Sequence, residues 1–182
     1  EIILQAFSLI KQSVNDALLV LVPRHPERFN QVGDLCLEAG FSLARRSNND
    51  LTDTADILLG DTMGELMTFF GACDIAFVGG SLVANGGHTM IEPAAWGKPT
   101  LSGLSVFNFA EVSRLLAEAG GLSLVEDAAA LAEAVIALVK NPEQAQQMGR
   151  QAQQVAEANR GALDRLLVVI DNSLSGQTAL SR

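Results

Sequence analysis

Short apolar segments alternate with amphipathic stretches along most of this chain, and this alternation restricts the fold more than any other feature. Apolar runs typical of buried parallel strands occur at residues 17–22, 42–44, 57–59, 75–78, 100–101 and 122–125. Helical patterns lie between them, so the sequence predicts βαβ units and a largely parallel sheet. We therefore expect an α/β fold, a Rossmann-like doubly wound sheet flanked by helices, in a single domain over residues 1–182.

The predicted helices begin and end at residues suited to those positions. Pro26 is placed to open a helix that Gly40 ends, and Asp127 is placed to cap a helix that runs to Lys140. Pro142 then starts another helix that continues to about residue 158. Further helices are predicted at residues 2–13, 64–72, 89–96, 107–119 and 162–172.

Composition limits the partners that such a domain can bind. The chain has 182 residues, 48% of them apolar, which is enough for a packed core. Its formal net charge is −9, whereas domains that bind nucleic acid or anionic lipid usually carry a basic surface. No apolar run reaches the ~18 residues of a membrane helix. We therefore expect neither nucleic-acid binding nor direct membrane insertion by this segment.

The loops that follow the strands are the candidate sites, because ligands bind beyond the carboxyl ends of the strands in an open parallel sheet. The first such loop reads Pro23-Arg24-His25-Pro26. Arginine suits phosphate or carboxylate, because its planar fork donates two hydrogen bonds at once. The alternative is a turn stiffened by prolines that carries incidental charges.

Two more strand-end loops have both a structural and a functional interpretation. In the loop of residues 60–66, Asp61 or Thr62 could cap the next helix and Glu65 could complete a capping box. Met63 in the same loop suits the flat face of a base or an irregular gap. The pair Gly79-Gly80 permits close approach of the backbone to a ligand, or simply a tight turn.

The segment of residues 86–93 combines a glycine turn with a predicted helix start that Thr89 would cap. The free N–H groups of a helix start attract phosphate. Glu92 would lie in the first turn of this helix. A carboxylate there can accept hydrogen bonds from both hydroxyls of a ribose, or it can merely complement the helix dipole. Asn108, after the next strand, could cap its own helix or donate to a ligand.

These segments together resemble the C-terminal domain of bacterial 3-deoxy-D-manno-oct-2-ulosonic acid (Kdo) transferases, which are GT-B glycosyltransferases. The motifs that carry the resemblance are Val22-Pro23-Arg24-His25-Pro26-Glu27-Arg28-Phe29, Gly60-Asp61-Thr62-Met63-Gly64-Glu65-Leu66, Phe77-Val78-Gly79-Gly80-Ser81-Leu82-Val83, Gly86-Gly87-His88, Glu92-Pro93 and Asn108-Phe109. The resemblance implies the C-terminal half of a GT-B fold that binds the donor CMP-Kdo.

The resemblance also implies an activity for the complete enzyme. That enzyme would transfer Kdo to a lipid A precursor in lipopolysaccharide biosynthesis, at the cytoplasmic face of the bacterial inner membrane. An N-terminal domain, absent from this chain, would bind the acceptor and supply the catalytic base. This chain would then bind donor without catalysing transfer, as a domain soluble in the cytoplasm with no catalytic residue of its own.

The first two loops receive donor-binding roles from the resemblance. Arg24 and His25 would face the donor phosphate or the Kdo carboxylate. Met63, Gly64 and Glu65 would border the nucleotide.

The two glycine-rich loops receive the roles closest to the phosphate. Gly79, Gly80 and Ser81 would let the backbone approach the donor. Gly87 and His88 would begin the phosphate-binding helix start.

The remaining assignments complete the expected donor site. Glu92 would take the ribose hydroxyls, and Asn108 would lie near the phosphate. No metal or other cofactor is implied, because the helix dipole and basic side chains stabilise the leaving phosphate in such enzymes.

Two other interpretations remain open on the sequence. One is another GT-B enzyme that uses a UDP-sugar, which would share the glycine turn and the helix-borne Glu92. The other is a nucleotide-binding or protein-interaction module without transferase activity.

Overall fold

The computed structural model describes residues 1–49 and 54–160, and in this part of the chain six strands form two parallel three-stranded sheets. The strands are β1 (Leu19–Leu21), β2 (Leu43–Arg45), β3 (Ile57–Leu59), β4 (Ala76–Val78), β5 (Thr100–Gly103) and β6 (Leu122–Val125). The strand orders are β1-β3-β2 and β4-β5-β6. The expected α/β fold with a parallel sheet arrangement is confirmed.

Helices connect the strands and cover the sheets. They are α1 (Ile2–Ser13), α2 (Phe29–Glu38), α3 (Leu66–Ala72), α4 (Ile91–Ala95), α5 (Ala110–Glu118), α6 (Ala128–Lys140) and α7 (Pro142–Ala158). Short 3₁₀ helices occur at Pro26–Arg28, Arg46–Asn48 and Phe107–Phe109. The helix predicted at residues 162–172 lies outside the described residues.

The core lies where the helices pack on the strands. Ile57 in β3 and Leu101 in β5 are fully buried, each in the middle of its sheet. Burying a side chain of this size stabilises the fold by roughly 1.5–3 kcal/mol relative to leaving it exposed. Helix α1 packs on α6 and α4 packs on α7. Within the described ranges, no helix is both long enough and apolar enough to cross a membrane.

The predicted helix ends are confirmed at the C-terminal helices. The Asp127 carboxylate accepts a hydrogen bond from the Ala130 N–H at 2.8 Å, which caps α6. The Asn141 side chain accepts from the Gln144 N–H at 3.2 Å, with Pro142 as the first residue of α7. These caps form because a side-chain oxygen one residue before the helix reaches an otherwise unpaired N–H.

The helix starts after β3 and β4 differ from the prediction. Helix α4 begins at Ile91, and Met90 occupies the position that Thr89 was expected to take. The Thr89 hydroxyl lies 3.4 Å from the Ile91 nitrogen, so it supports the turn before the helix. The capping box after β3 does not form, because Thr62 donates its hydroxyl to the Glu65 carboxylate.

Asp61 and Asn108 also do not cap the helices that follow them. Asp61 turns away from α3 and accepts hydrogen bonds from Ser47, in the loop after β2. Asn108 lies inside a 3₁₀ helix, and its amide donates to the Asn85 carbonyl at 3.4 Å. Local spacing suggested a cap in both cases, but a partner distant in sequence took the side chain instead.

Candidate functional site

The loops after β1 and β4 meet at the carboxyl ends of the two sheets. Arg24 follows β1 and His88 follows β4, and Arg24 Nη1 lies 3.0 Å from His88 Nδ1. Strands β1 and β4 are each the outer strand of their own three-stranded sheet. The structure thus brings together two motifs separated by 64 positions in the sequence.

The contact with Arg24 defines the protonation of His88. A guanidinium only donates hydrogen bonds, so His88 Nδ1 must accept and the proton must be on Nε2. Partial burial and then the charges of Arg24 and His25 hold the pKa of His88 below its usual value, while Glu92 acts in the opposite direction. The imidazole is therefore neutral at pH 7 and keeps its Nε2–H as a donor.

The glycine turn beside His88 leaves room for this ring. Gly80 and Gly87 adopt φ values of +73° and +71°, and the Gly87 N–H donates to the Gly80 carbonyl at 2.9 Å. A Cβ atom on Gly80 would lie 3.4 Å from His88 Nε2. Glycine is required because a side chain would be strained at this φ and would crowd the imidazole.

The Ser81 side chain is directed into the protein and away from the site. Its hydroxyl donates to the Val78 carbonyl at 2.7 Å and accepts from the Gly103 N–H at 2.7 Å. Ser81 is buried, and its own carbonyl accepts from the Ser105 N–H at 2.9 Å. Ser81 therefore joins the end of β4 to the end of β5 and shapes the turn, and its hydroxyl is not available to a ligand.

Gly79, in the same turn, has the opposite environment. Apart from its chain neighbours, no described residue has a heavy atom within 4 Å of a Cβ atom placed at Gly79, whereas a Cβ at Gly103 would lie 2.2 Å from the Ser81 carbonyl oxygen. Gly79 therefore borders open space at the mouth of the site. Gly103 is needed for close approach of two backbone segments beneath it.

In the described part of the chain, the start of helix α4 and the residues before it carry a carboxylate and two N–H groups without a hydrogen-bond partner. Glu92 lies in its first turn and is half-buried, and its carboxylate accepts no hydrogen bond from the described part of the chain. The N–H groups of Thr89 and Met90 likewise donate to no acceptor among residues 1–49 and 54–160. A ligand that carries both hydroxyls and anionic oxygens would satisfy these groups.

The length of α4 changes the expected source of positive potential. The helix has five residues, too few for a substantial macrodipole. The positive potential near this turn therefore comes from individual N–H groups and the Arg24 guanidinium, and not from a helix dipole. The described residues contain no group of three or more His, Cys, Asp or Glu side chains placed to hold a metal.

The loop after β3 presents its tip to solvent and uses its acidic residue internally. Met63 is 68% exposed, and Gly64 beside it is exposed as well. The Glu65 carboxylate accepts from the Thr62 hydroxyl and from Arg46 Nη2, the latter at 2.8 Å. Met63 and Gly64 are thus available to a nucleotide, whereas the Glu65 carboxylate is already engaged.

His25 is only loosely connected to the site. Its side chain is 60% exposed, and Nδ1 lies 3.8 Å from the Glu27 carboxylate. Its charge is one of the causes that lower the pKa of His88. Sequence reasoning assigned no role to Arg45, Arg46 and Ser47, which lie at the carboxyl end of β2, at the same end of the sheet as the candidate site. Their position at a strand end was the signal that could have included them.

Comparison with known proteins identifies the class to which this site belongs. The family glycosyl transferases group 1 matches residues 1–155. The chain therefore belongs to the group 1 glycosyl transferases. The C-terminal CMP-Kdo binding domain of WaaA from Acinetobacter baumannii superposes with a TM-score of 0.80 at 32% identity, covering 84% of this chain and 80% of that one. This likeness confirms the GT-B C-terminal fold and, within the class, the resemblance to Kdo transferases.

Two longer relatives are both named 3-deoxy-D-manno-octulosonic acid transferase. The 3-deoxy-D-manno-octulosonic acid transferase of Haemophilus influenzae is 47% identical over 169 residues, which are 92% of this chain and 40% of that protein. The enzyme of the same name from Bordetella pertussis is 35% identical over 159 residues, 86% of this chain and 37% of that protein. The chain thus spans about two fifths of the length of these relatives.

Proposed function

We propose that this chain is the CMP-Kdo binding domain of a glycosyltransferase that transfers Kdo from CMP-Kdo to a lipid A precursor in lipopolysaccharide biosynthesis. The observation that carries this proposal is the Arg24–His88 contact, together with the nearby Glu92 carboxylate and the N–H groups before α4, which have no partner within residues 1–49 and 54–160. The names of the Haemophilus and Acinetobacter proteins support CMP-Kdo as the donor.

Each part of the site has a role in holding this donor. The Glu92 carboxylate accepts hydrogen bonds from the two ribose hydroxyls. Arg24 and the N–H groups of Thr89 and Met90 bind the phosphate. Met63 covers the cytosine. Negative charge builds on the phosphate as its bond to Kdo breaks, and donors already in position stabilise that charge.

The acceptor and the catalytic base belong to the N-terminal domain in this proposal. That domain binds the lipid A precursor at the cytoplasmic face of the inner membrane, and a carboxylate there removes the proton from the acceptor hydroxyl. This chain by itself binds the donor and does not catalyse transfer. Arg24 and the N–H groups act on the leaving phosphate, so the proposed transfer requires no metal.

Titration of this chain with CMP, UMP and AMP, followed by calorimetry, tests the proposed function. We expect CMP to bind best and Glu92→Ala to weaken CMP binding about tenfold, because two hydrogen bonds to a carboxylate are lost. Glu143→Ala is the matched control, since Glu143 also lies in the first turn of a helix but on α7, and it should leave the affinity unchanged. Equal affinity for all three nucleotides would contradict the proposal, and a preference for UMP would favour a UDP-sugar enzyme.

Replacing Gly79 with alanine should weaken donor binding while leaving the stability of the fold unchanged. A methyl group at this position meets no atom of a non-neighbouring residue within 4 Å in the described ranges, so Gly79→Ala should change the free energy of unfolding by less than about 0.5 kcal/mol. The same methyl group would occupy the space that we assign to the donor, so CMP-Kdo should bind about tenfold more weakly. Urea unfolding and calorimetry on the same samples measure both effects, and wild-type affinity in this variant would place the donor elsewhere.

A further inference from the structure

Asp61, at the start of the loop after β3, is held almost entirely by the loop after β2. Its side chain is 4% exposed. It accepts from the Ser47 N–H at 2.8 Å and from the Ser47 hydroxyl at 2.7 Å, and Arg45 Nη1 lies 3.3 Å away. Two loops that follow different strands are therefore joined through one buried carboxylate.

A second connection joins the other end of the same loop to the same segment. Glu65 accepts from Arg46 Nη2 at 2.8 Å and from the Thr62 hydroxyl within its own loop. Arg46 and Ser47 are consecutive, so one short segment holds residues 61 and 65 at once. Between these points, Met63 is 68% exposed and Gly64 has φ +84°.

Both carboxylates are ionised at neutral pH. Burial raises the pKa of Asp61, but the hydrogen bonds from Ser47 and Arg45 more than offset this and hold that pKa below its ordinary value. The Thr62 hydroxyl and then Arg46 hold the pKa of Glu65 below its ordinary value as well. The hydrogen bonds are thus charge-assisted and stronger than those between neutral groups.

We propose that residues 45–47 form a bracket that fixes the loop of residues 61–65 in its donor-binding shape, with Asp61 and Ser47 as positioning residues. The bracket acts by preorganisation, because a loop that is ordered before binding loses less conformational entropy when the donor arrives. This inference rests on the proposed function. It reassigns Glu65 from a contact of the nucleotide to an internal support of Met63 and Gly64.

A similar cluster of hydrogen bonds lies at the opposite end of the same strands and serves as a matched control for the bracket. Asp56 precedes β3, and its carboxylate accepts from the Ser42 N–H at 3.0 Å and the Ser42 hydroxyl at 2.7 Å. Lys11 completes this cluster at 2.8 Å, as Arg45 completes the other. The chemistry is the same, but the position is at the amino ends of the strands, away from the proposed site.

Four variants of the chain test the bracket: Asp61→Asn, Asp56→Asn, Ser47→Ala and Ser47→Thr. Asp61→Asn and Ser47→Ala should weaken CMP binding about tenfold and speed hydrogen exchange of residues 60–66. Asp56→Asn should lower the urea midpoint but leave CMP affinity and the hydrogen exchange of residues 60–66 unchanged. Ser47→Thr keeps the hydroxyl and should match the wild type in both measurements.

Several results would overturn the inference. One is slow exchange of residues 60–66 in Asp61→Asn, and another is wild-type CMP affinity in that variant. A third is an equal loss of affinity in Asp56→Asn, because the effect would then follow stability and not loop position. A wild-type chain that bound none of the three nucleotides would contradict the proposed function, and the exchange measurement would still decide whether the bracket exists.

Discussion

Replacing Arg24 with alanine is expected to weaken CMP binding by about 100-fold. The guanidinium would donate charge-assisted hydrogen bonds to the donor phosphate, and losing such contacts costs roughly 2–3 kcal/mol. His88 also loses the donor that lies 3.0 Å from its Nδ1, so the imidazole is no longer held beside the glycine turn. Calorimetric titration with CMP measures the effect, and a loss smaller than threefold would exclude Arg24 as a phosphate ligand.

Two further variants show whether the geometry or only the charge of Arg24 matters. Arg28→Ala removes an exposed arginine four positions further along the same segment and should leave CMP affinity unchanged. Arg24→Lys keeps the charge but loses the planar fork, so its affinity should fall between wild type and Arg24→Ala. Equal losses in Arg24→Ala and Arg28→Ala would indicate a general electrostatic effect and would contradict the specific role.

Replacing Gly103 with alanine is expected to destabilise the fold by about 3 kcal/mol or more. The new Cβ would lie 2.2 Å from the Ser81 carbonyl oxygen and 2.5 Å from the Leu82 nitrogen, and backbone atoms cannot move aside as a flexible side chain can. The end of β5 would have to separate from the turn after β4. The melting temperature should then fall by roughly 6–12 °C for a domain of this size.

Gly79→Ala provides the control for this loss, since it adds the same methyl group two positions before Ser81 and meets open space. We expect most of the roughly 3 kcal/mol lost in Gly103→Ala to appear as a difference in the free energy of unfolding between the two variants. A Gly103→Ala protein within 0.5 kcal/mol of wild type would show that β5 and the turn can separate at little cost.

The order of the strands and helices was predictable because it depends on local patterns. Apolar runs of a few residues between glycine and proline signals identified all six strands. Asp127 and Pro142 identified two helix starts, because an N-cap interacts with a residue only three positions away and proline suits the first helical position. The GT-B class followed from motifs that the sequence displays directly.

The helix-cap predictions were wrong where a side chain could form hydrogen bonds with either a local or a sequence-distant partner. Asp61 was one of two candidate caps for α3, and instead it accepts hydrogen bonds from Ser47, which is 14 positions away. Spacing along the chain cannot reveal that the loops after β2 and β3 lie side by side. The strand order β1-β3-β2 decides this, since it places β2 next to β3.

The sequence by itself thus determined the class of fold and the segments from which the site is built, because both depend on residues close together in the chain. Only the tertiary structure decided how those segments are used. The carboxyl ends of β1 and β4 meet, so Arg24 reaches His88 and fixes it as a neutral acceptor. Among the described residues, the same packing leaves Glu92 without a partner while Asp61 and Glu65 are engaged, because a side chain binds whichever partner the fold brings within reach.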